Sequence, residues 1–238
     1  MCQNQLAPLL CKLFNNIFDD NIYPEICWKG IIVPVTKKGN LNDVNNYRGI
    51  TLASIFSKIF SVLIDTRLRK WANDNNVLHD NQLGFVKGKS TVDCIFVLTS
   101  IIDKIVKHEK RKVYCSFVDL KKCFDYVYRN GIWFKLIEQG VSSKIVNTLQ
   151  SMYSTVKSCV RVNGTLSEFF DRYMGVKQGK PLSPLLFILF VNDMSSYLQT
   201  DSLDYLSMDE LQIFILLFAD DTVLFSYTKP GLLILLNK

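Results

Sequence analysis

The chain has 238 residues, of which 48% are hydrophobic and 21% are charged, a globular composition that excludes a disordered protein. Its apolar runs are far shorter than the roughly 18 residues of a membrane-spanning helix, so no membrane partner is expected. The seven cysteines are an odd number without a Cys-x-x-Cys pair, which indicates reduced core thiols and an intracellular location, in the nucleus or the cytoplasm.

The net charge of +6 is unevenly distributed along the chain. Residues 29–112 carry a net charge of +8, whereas residues 113–238 carry equal numbers of acidic and basic side chains. A basic lobe of this kind suits a polyanion such as nucleic acid or a nucleoside triphosphate. A basic solvent-facing surface with no ligand explains the same charge equally well.

Apolar periodicity divides the first half of the chain into three helices and a strand. In order these are a helix that stops before Tyr23-Pro24, a strand over Trp28–Val35 with Pro34 near a sheet edge, a helix over Ile55–Trp71 and a helix from Thr91 to about Val106. Ser54 is the predicted cap of the third element, and Ser90 with Asp93 forms a capping box before the fourth. Between these two helices, Gly84–Lys89 is a basic, glycine-punctuated loop that could follow a phosphate backbone.

Two further strands, both predicted by continuous apolar runs, end in acidic side chains. Val113–Asp119 ends in Asp119, and Ile213–Ala219 leads into Asp220 and Asp221. If the two strands lie side by side, their carboxylates could hold two divalent ions about 4 Å apart, as in-line phosphoryl transfer needs. Hard oxygen ligands without a His or Cys cluster favour Mg²⁺ over zinc or iron, with Mn²⁺ as an alternative. A solvated Asp-Asp turn is the commoner explanation of the dipeptide alone.

The remaining segments are predicted to be mainly helical. They are short helices over Ile132–Gln139 and Ser143–Tyr153, a hairpin around Asn163-Gly164, and a helix over Leu185–Leu198. Ser183 as cap and Pro184 at the first helical position would begin the last helix. The glycine-rich approach to it, Gly175–Pro184, lets the backbone come close to a ligand.

Six blocks, in this order, resemble the reverse transcriptase of non-LTR (LINE-like) retrotransposons. They are Pro24–Trp28 with Lys37–Gly39, Asn46–Ile50, Asn81–Phe85 with Lys89–Thr91, Asp119–Val127, Gly175–Pro184 and Phe218–Asp221. The blocks cover nearly the whole chain. A group II intron-type reverse transcriptase is an alternative within the same class, and the Asn46–Ile50 block favours the LINE-like branch.

The resemblance implies an α+β fold of the right-hand polymerase type. Fingers are expected over residues 1–112 and a palm over residues 113–238, the palm being an antiparallel sheet backed by helices. The family continues beyond the last predicted strand into the rest of the palm and a thumb, so we expect a truncated domain in which the thumb is absent. The alternative is an inactive remnant that at most binds nucleic acid.

The activity implied by the resemblance is RNA-directed DNA polymerisation. A dNTP would be joined to the 3′-OH of a DNA primer on an RNA template, with two Mg²⁺ ions. Asp119, Asp220 and Asp221 match the family's metal-binding and catalytic positions.

The resemblance also implies a nucleotide-binding set. Lys38 and Arg48 lie in blocks that meet the triphosphate, and Phe124 falls where the family has an aromatic that excludes a ribose 2′-OH. Gln178 and Gly179 match positions beside the incoming nucleotide. Lys180 stands where the family usually has an acidic or small residue, so we expect a reversed local charge there.

Overall fold

The computed structural model describes residues 2–199, 205–208 and 211–238. The chain forms two compact units, each made of two segments. The first unit is Met1–Asn75 with Phe124–Leu186, and the second unit is Asn76–Cys123 with Phe187–Lys238. These units are defined by compactness, so the functional division into fingers and palm after residue 112 stays a prediction.

Helices and strands alternate along the described residues. The helices are α1 (Cys2–Asp20), α2 (Glu25–Trp28), α3 (Ile55–Asp74), α4 (Thr91–Ile101), α5 (Cys123–Tyr126), α6 (Arg129–Glu138), α7 (Ser143–Ser154), α8 (Leu182–Phe190), α9 (Met194–Leu198) and α10 (Lys229–Leu236). The strands are β1 (Lys29–Thr36), β2 (Tyr47–Ala53), β3 (Tyr114–Asp119), β4 (Lys157–Val162), β5 (Thr165–Leu166), β6 (Phe170–Asp171), β7 (Leu206–Met208), β8 (Leu211–Ile213), β9 (Ile215–Phe218) and β10 (Asp221–Ser226). A 3₁₀ turn at Val44–Asn46 precedes β2, and π-helical turns at Ile102–His108 extend α4.

The sheet of the first unit is mixed. Its strand order is β2-β1-β4-β5, with β6 also paired to β4. β1 runs antiparallel to β2 and parallel to β4, and the parallel pairing ends at Ile32. Pro34 therefore faces a partner strand on one side only, where it pairs with Gly49. Its missing N–H group is tolerated there, as the sequence predicted.

Aromatic rings from α1, α3 and the segment after α1 form the core of the first unit. The ring of Phe60 lies 5.1 Å from that of Phe14, 5.7 Å from Phe18 and 5.8 Å from Tyr23, measured between centroids. Phe14 and Phe18 are four residues apart, so both project from one face of α1. The predicted amphipathic helix is confirmed by this packing.

The second unit contains an antiparallel sheet of order β3-β10-β9. Its two faces pack against separate hydrophobic clusters, one with Ile101 of α4 and one with Leu198 of α9 and Leu235 of α10. Ile215 and Leu217 of β9 contribute to the second cluster, whereas the intervening Leu216 contributes to the first. A strand buried on both faces explains the continuous apolar run in the sequence.

The predicted helix over Leu185–Leu198 is wrong in its bounds. α8 begins earlier, at Leu182, so Ser183 lies inside it and donates its hydroxyl to the carbonyl of Lys177 at 2.7 Å. The helix breaks before α9, where the Asn192 amide accepts from His79 N at 3.0 Å and donates to Val77 O at 2.7 Å. These bonds to a distant segment satisfy the polar groups of a residue with low helix propensity.

Several local predictions are confirmed. Ser54 Oγ caps α3 by accepting from Ser57 N at 3.2 Å, and Asp93 accepts from Ser90 N at 2.6 Å in the capping box. The β4–β5 turn has positive φ at Asn163 (48°) and Gly164 (83°), as a type I′ hairpin requires. The mixed α and β composition agrees with the predicted α+β class.

The cysteines only partly follow the prediction of core thiols. None of the cysteines whose side chains the structure describes forms a disulfide; Cys27 and Cys159 are buried, whereas Cys11 and Cys115 are exposed. Among the described residues, no helix is both long and apolar enough to cross a membrane.

Candidate active site

Three acidic side chains meet at one end of the antiparallel sheet of the second unit. β3 ends at Asp119, β10 begins at Asp221, and the register pairs these two residues directly. Asp220 lies beside them in the two-residue turn that joins β9 to β10. Directly paired residues of an antiparallel ladder have Cα atoms about 4.5–5.5 Å apart. The acids predicted from the two apolar runs are thus brought together.

The route to this arrangement differs from the predicted one. The strand that carries Asp119 does not pair with β9, the strand that leads into the acids, because β10 lies between them. The acids meet because β10 begins at Asp221 and runs back antiparallel to β3. A tight turn after β9 is therefore what places the second and third carboxylates next to the first.

Gln82 and Gly84 hold this turn from an adjacent segment. Oε1 of Gln82 accepts from Ala219 N at 3.2 Å and from Gly84 N at 2.8 Å, and the Gln82 side chain is buried. Leu83 N donates to Leu217 O at 2.8 Å, so the segment also pairs with β9. A Cβ atom on Gly84 would lie 2.0 Å from Ala219 N, so only glycine fits. Ala219 itself has φ 60°, a strained backbone conformation for alanine that this clamp maintains.

Sequence reasoning assigned no such role to Gln82 and Gly84. They appeared only within the Asn81–Phe85 block of the resemblance and at the start of a loop expected to follow phosphates. No local sequence pattern predicts a contact with a turn about 135 residues later in the chain. The block was the one available signal.

The carboxyl groups interact electrostatically. Burial, then the charges of Asp220 and Asp119, raise the pKa of Asp221 above its ordinary value. Cys123 Sγ donates to Oδ2 of Asp220 at 3.5 Å, and Leu120 N donates to the Asp220 carbonyl at 3.4 Å. Repulsion among the carboxylates is what a bound cation relieves.

The donor chemistry fits Mg²⁺ or Mn²⁺, since all three side chains offer hard carboxylate oxygens. In the part of the chain that the structure describes, no group of three or more His, Cys, Asp or Glu side chains converges closely enough to form a preorganised metal centre. Asp119 and Asp221 are paired across the sheet, and Asp220 is adjacent to Asp221.

The residues of the predicted nucleotide-binding set all lie in the first unit, where the structure brings several of them together. Thr51 N of β2 donates to the Gln178 carbonyl at 3.0 Å, and a Cβ atom on Gly179 would lie 3.2 Å from Thr51 O. Val176 N donates to Phe124 O at 2.7 Å, which ties the segment of Phe124 to the same loop. Gln178, Gly179 and Phe124 therefore share one region of the first unit.

Arg48 and Lys38 lie toward one end of the β1–β2 hairpin. Arg48 is exposed on β2, three residues before Thr51, or about 10 Å along an extended strand. Lys38 is exposed in the connecting loop, which Lys37 N closes by donating to Asn46 O at 2.6 Å. The described contacts join Gln178 and Gly179 to the strand of Arg48, and none joins them to Lys38.

The side chain of Lys180 points into the interior of the first unit. Its side chain is buried, its ammonium donates to Ser57 Oγ of α3, and it lies 5.9 Å from the centre of the Tyr23 ring. Burial lowers the pKa of Lys180 to about 8. The reversed local charge beside the nucleotide site stays a prediction, and the ammonium itself points into the core of the first unit.

Lys177 and Arg129 are also buried basic side chains of this loop region. Lys177 Nζ donates to Trp28 O at 3.0 Å, and burial, then Lys180 and other cations, lower the pKa of Lys177 to about 6. Arg129 donates to the carbonyls of Gly175 at 2.9 Å and of Tyr153 and Met174 at 3.1 Å. The loop that carries Gln178 and Gly179 is thus fastened by buried basic side chains that donate to backbone carbonyls.

The class of this protein follows from a comparison with known families. Residues 35–238 match the family described as reverse transcriptase (RNA-dependent DNA polymerase), and the chain belongs to that family.

The particular relatives come from retrotransposable elements. The chain is 30% identical over 188 residues to the probable RNA-directed DNA polymerase from transposon BS of Drosophila melanogaster, covering 78% of this chain and 20% of the relative. It is 26% identical over 232 residues to the Pol polyprotein of the type-1 retrotransposable element R2 of Nasonia vitripennis, covering 96% of this chain and 22% of the relative. The predicted resemblance to non-LTR retrotransposon reverse transcriptases is confirmed, and the chain spans about a fifth of the length of these relatives.

A solved structure shares the fold. The apo telomerase from Candida tropicalis, truncated from its C-terminal domain, superposes with a TM-score of 0.63 at 14% identity, covering 94% of this chain and 49% of that one. At this identity the likeness concerns the fold.

Proposed function

We propose that the chain is the catalytic core of an RNA-directed DNA polymerase, which transfers a nucleotide from a dNTP to the 3′-OH of a DNA primer on an RNA template. The observation that carries the proposal is the direct pairing of Asp119 with Asp221 at the end of an antiparallel sheet, with Asp220 in the adjoining turn. Membership of the reverse transcriptase family supports the same reaction.

In this proposal Asp119, Asp220 and Asp221 hold the metal ions. Two bound Mg²⁺ ions would activate the attacking 3′-oxygen and stabilise the leaving oxygen of the triphosphate. The β3–β10 register sets the spacing of two carboxylates, and Gln82 fixes the turn that presents the third. The chain thereby places the three acidic residues at one end of the sheet, where bound ions would draw their carboxylates together.

The first unit supplies the proposed nucleotide contacts. Arg48 and Lys38 are exposed cations suited to a triphosphate, Arg48 as a bidentate donor and Lys38 as a point charge. Phe124 would exclude a ribose 2′-OH by steric contact, and Gln178 and Gly179 would lie beside the sugar and base. The docking of Gln178 and Gly179 on the strand of Arg48 supports a shared site.

The fold also suggests which elements would form the palm and the fingers of a right-hand polymerase. We assign the antiparallel sheet of the second unit to a palm, because it carries the paired acids. We assign the β1–β2 hairpin to the fingers, because its loop and β2 carry the exposed cations.

Primer extension on an RNA template with dNTPs and Mg²⁺ tests the proposal. We expect Asp220→Ala to lower extension by at least about 1,000-fold, because residues that act as one catalytic unit lose most activity when any one is removed. Asp103→Asn is the matched control, since Asp103 is an exposed acid of the same unit that pairs with Lys107 one turn along the chain.

The same experiment distinguishes the alternative function. Extension that persists in Asp220→Ala would overturn the assignment of the acids. A chain that binds RNA but does not extend a primer, and in which Asp119→Asn leaves binding intact or stronger, would instead be a nucleic-acid-binding remnant.

A further inference from the structure

The carboxylate of Asp125 is a point of attachment for two side chains of the first unit. Arg172 Nη2 donates to one carboxylate oxygen at 3.2 Å, and Gln178 Nε2 donates to the other at 3.3 Å. The side chain of Asp125 is 43% exposed, whereas that of Arg172 is 15% exposed. Neither the resemblance nor the acid cluster of the second unit assigns a role to Asp125.

This arrangement determines how the Gln178 side chain is oriented. An ionised carboxylate only accepts hydrogen bonds, so the amide nitrogen of Gln178 must face Asp125. The amide carbonyl oxygen then points away from Asp125 as an acceptor. An unattached glutamine side chain would sample many rotamers, and ordering one costs up to about 2 kcal/mol.

The backbone segments that carry Asp125 and Gln178 are both held by other contacts. Gly175 N donates to Val127 O at 2.9 Å, and a Cβ atom on Gly175 would lie 2.5 Å from Asp125 O, so the two segments are in close contact. The Gln178 carbonyl is bound by Thr51 N of β2. The hydrogen bond therefore acts on a side chain whose backbone is already placed.

Arg172 has a second consequence for the charge of this region. Its guanidinium pairs with Asp125, so the carboxylate can accept from Gln178 without presenting an uncompensated negative charge. That matters next to a site proposed to receive a triphosphate, because a like charge nearby would weaken its binding.

We propose that Asp125 is a positioning residue, which holds the Gln178 amide so that its carbonyl oxygen is presented as an acceptor to the incoming nucleotide. The proposal rests on the proposed function for the identity of the ligand. It predicts that Asp125 affects nucleotide binding through Gln178 and has no direct part in nucleotidyl transfer.

A double-mutant cycle in the primer-extension assay tests this coupling. We expect Asp125→Ala to raise the KM for dNTP about 10-fold with kcat within about twofold, the size of one lost orienting hydrogen bond. In a Gln178→Ala background the same change should alter KM less than about twofold, because the side chain it orients is already gone. Asp125→Asn, which keeps one acceptor oxygen, should give an intermediate KM.

Asp171→Asn is the matched control. Asp171 lines the same cleft of about 470 Å³ as Asp125 and Arg172, and its substitution removes the same charge without a described bond to Gln178. Its KM should stay at the wild-type value. KM effects of Asp125→Ala and Gln178→Ala that add independently, or a fall in kcat alone, would overturn the positioning role.

A second measurement does not depend on polymerase activity. The side-chain amide resonances of ¹⁵N-labelled Gln178, identified by their loss in Gln178→Glu, should shift in Asp125→Ala and stay unchanged in Asp171→Asn. An unshifted amide in Asp125→Ala overturns the proposal whether or not the chain extends a primer. A shifted amide in a chain that fails to extend would instead contradict the proposed function and leave the pairing intact.

Discussion

The turn at Ala219-Asp220 in the second unit and the loop over residues 174–180 in the first unit hold their site residues by different means. The turn is held by strand pairing, by the uncharged side-chain amide of Gln82 and by the close backbone approach of Gly84. The loop is held by basic side chains that donate to its carbonyls and to neighbouring segments. The acids at the turn are partly or fully exposed, whereas the cations at the loop are buried.

This difference agrees with the proposed function. In that proposal the exposed carboxylates would receive a cation, and uncharged groups that do not compete as ligands support them. In the same proposal the loop would approach the nucleotide with its own backbone, and buried Arg and Lys donors satisfy carbonyls on its other side. Substitutions should therefore damage the turn through steric clash and the loop through lost donors.

The largest expected effect is a clash at the turn. Gly84→Ala should destabilise the second unit by at least about 3 kcal/mol and abolish primer extension, because its Cβ would meet the backbone nitrogen of Ala219. Denaturant unfolding measures the loss. Gly88→Ala is the control, since Gly88 has φ 82° and open space, and should cost only about 1 kcal/mol of backbone strain. Equal losses in the two variants would contradict the clamp.

Loss of a buried donor at the loop should be smaller. Arg129→Met keeps most of the apolar volume but leaves the carbonyls of Gly175, Tyr153 and Met174 without their donor, and should cost about 2–3 kcal/mol. Urea unfolding and protease susceptibility near residue 174 check this. A variant as stable as the wild type would show that water or other groups replace the guanidinium.

A third prediction concerns pH. The pKa of Lys177 is about 6 in the folded chain and 10.5 ordinarily, so between these values the unfolded chain binds a proton that the folded chain does not. Stability should therefore rise with pH across this window, by at most about 1.4 kcal/mol per pH unit from this group.

Lys177→Met should remove that part of the slope. Unfolding free energies measured from pH 6 to pH 10 should then depend less on pH than in the wild type, with the difference largest at the acidic end. Lys157→Met, at an exposed position of β4, should leave the slope unchanged. Parallel wild-type and Lys177→Met curves would show that Lys177 stays charged in the folded chain.

The smallest effect on stability is expected from substituting one of the acids. Burial and the neighbouring carboxylates raise the pKa of Asp221, so the folded chain disfavours its charged form. The resulting loss of stability appears as pH rises past the ordinary pKa of an aspartate. Asp221→Asn should stabilise the chain at pH 7 by about 0.5 kcal/mol, a small gain because exposed charges are screened. The melting temperature should show this gain at low salt and lose it at 1 M salt or below the ordinary pKa. An unchanged or lower melting temperature would contradict repulsion at the acids.

Much of the local structure could be predicted from the sequence. The caps at Ser54 and Ser90 and the hairpin turn at Asn163-Gly164 depend on neighbouring residues and were found where predicted. The strand predicted over Ile213–Ala219 is shorter in the structure, where β9 covers Ile215–Phe218. The helix break at Asn192 was missed because its cause is a pair of hydrogen bonds to residues more than 110 positions away.

The candidate site divides in the same way. The sequence by itself indicated which side chains are candidates for the proposed chemistry, because acids that end apolar runs and the order of the six blocks are local features. Only the tertiary structure decided that Asp119 pairs with Asp221, that Gln82 and Gly84 hold the turn, and that Lys180 faces inward. Strand register and side-chain direction depend on which distant surfaces pack together, and a one-dimensional pattern carries no information on that choice.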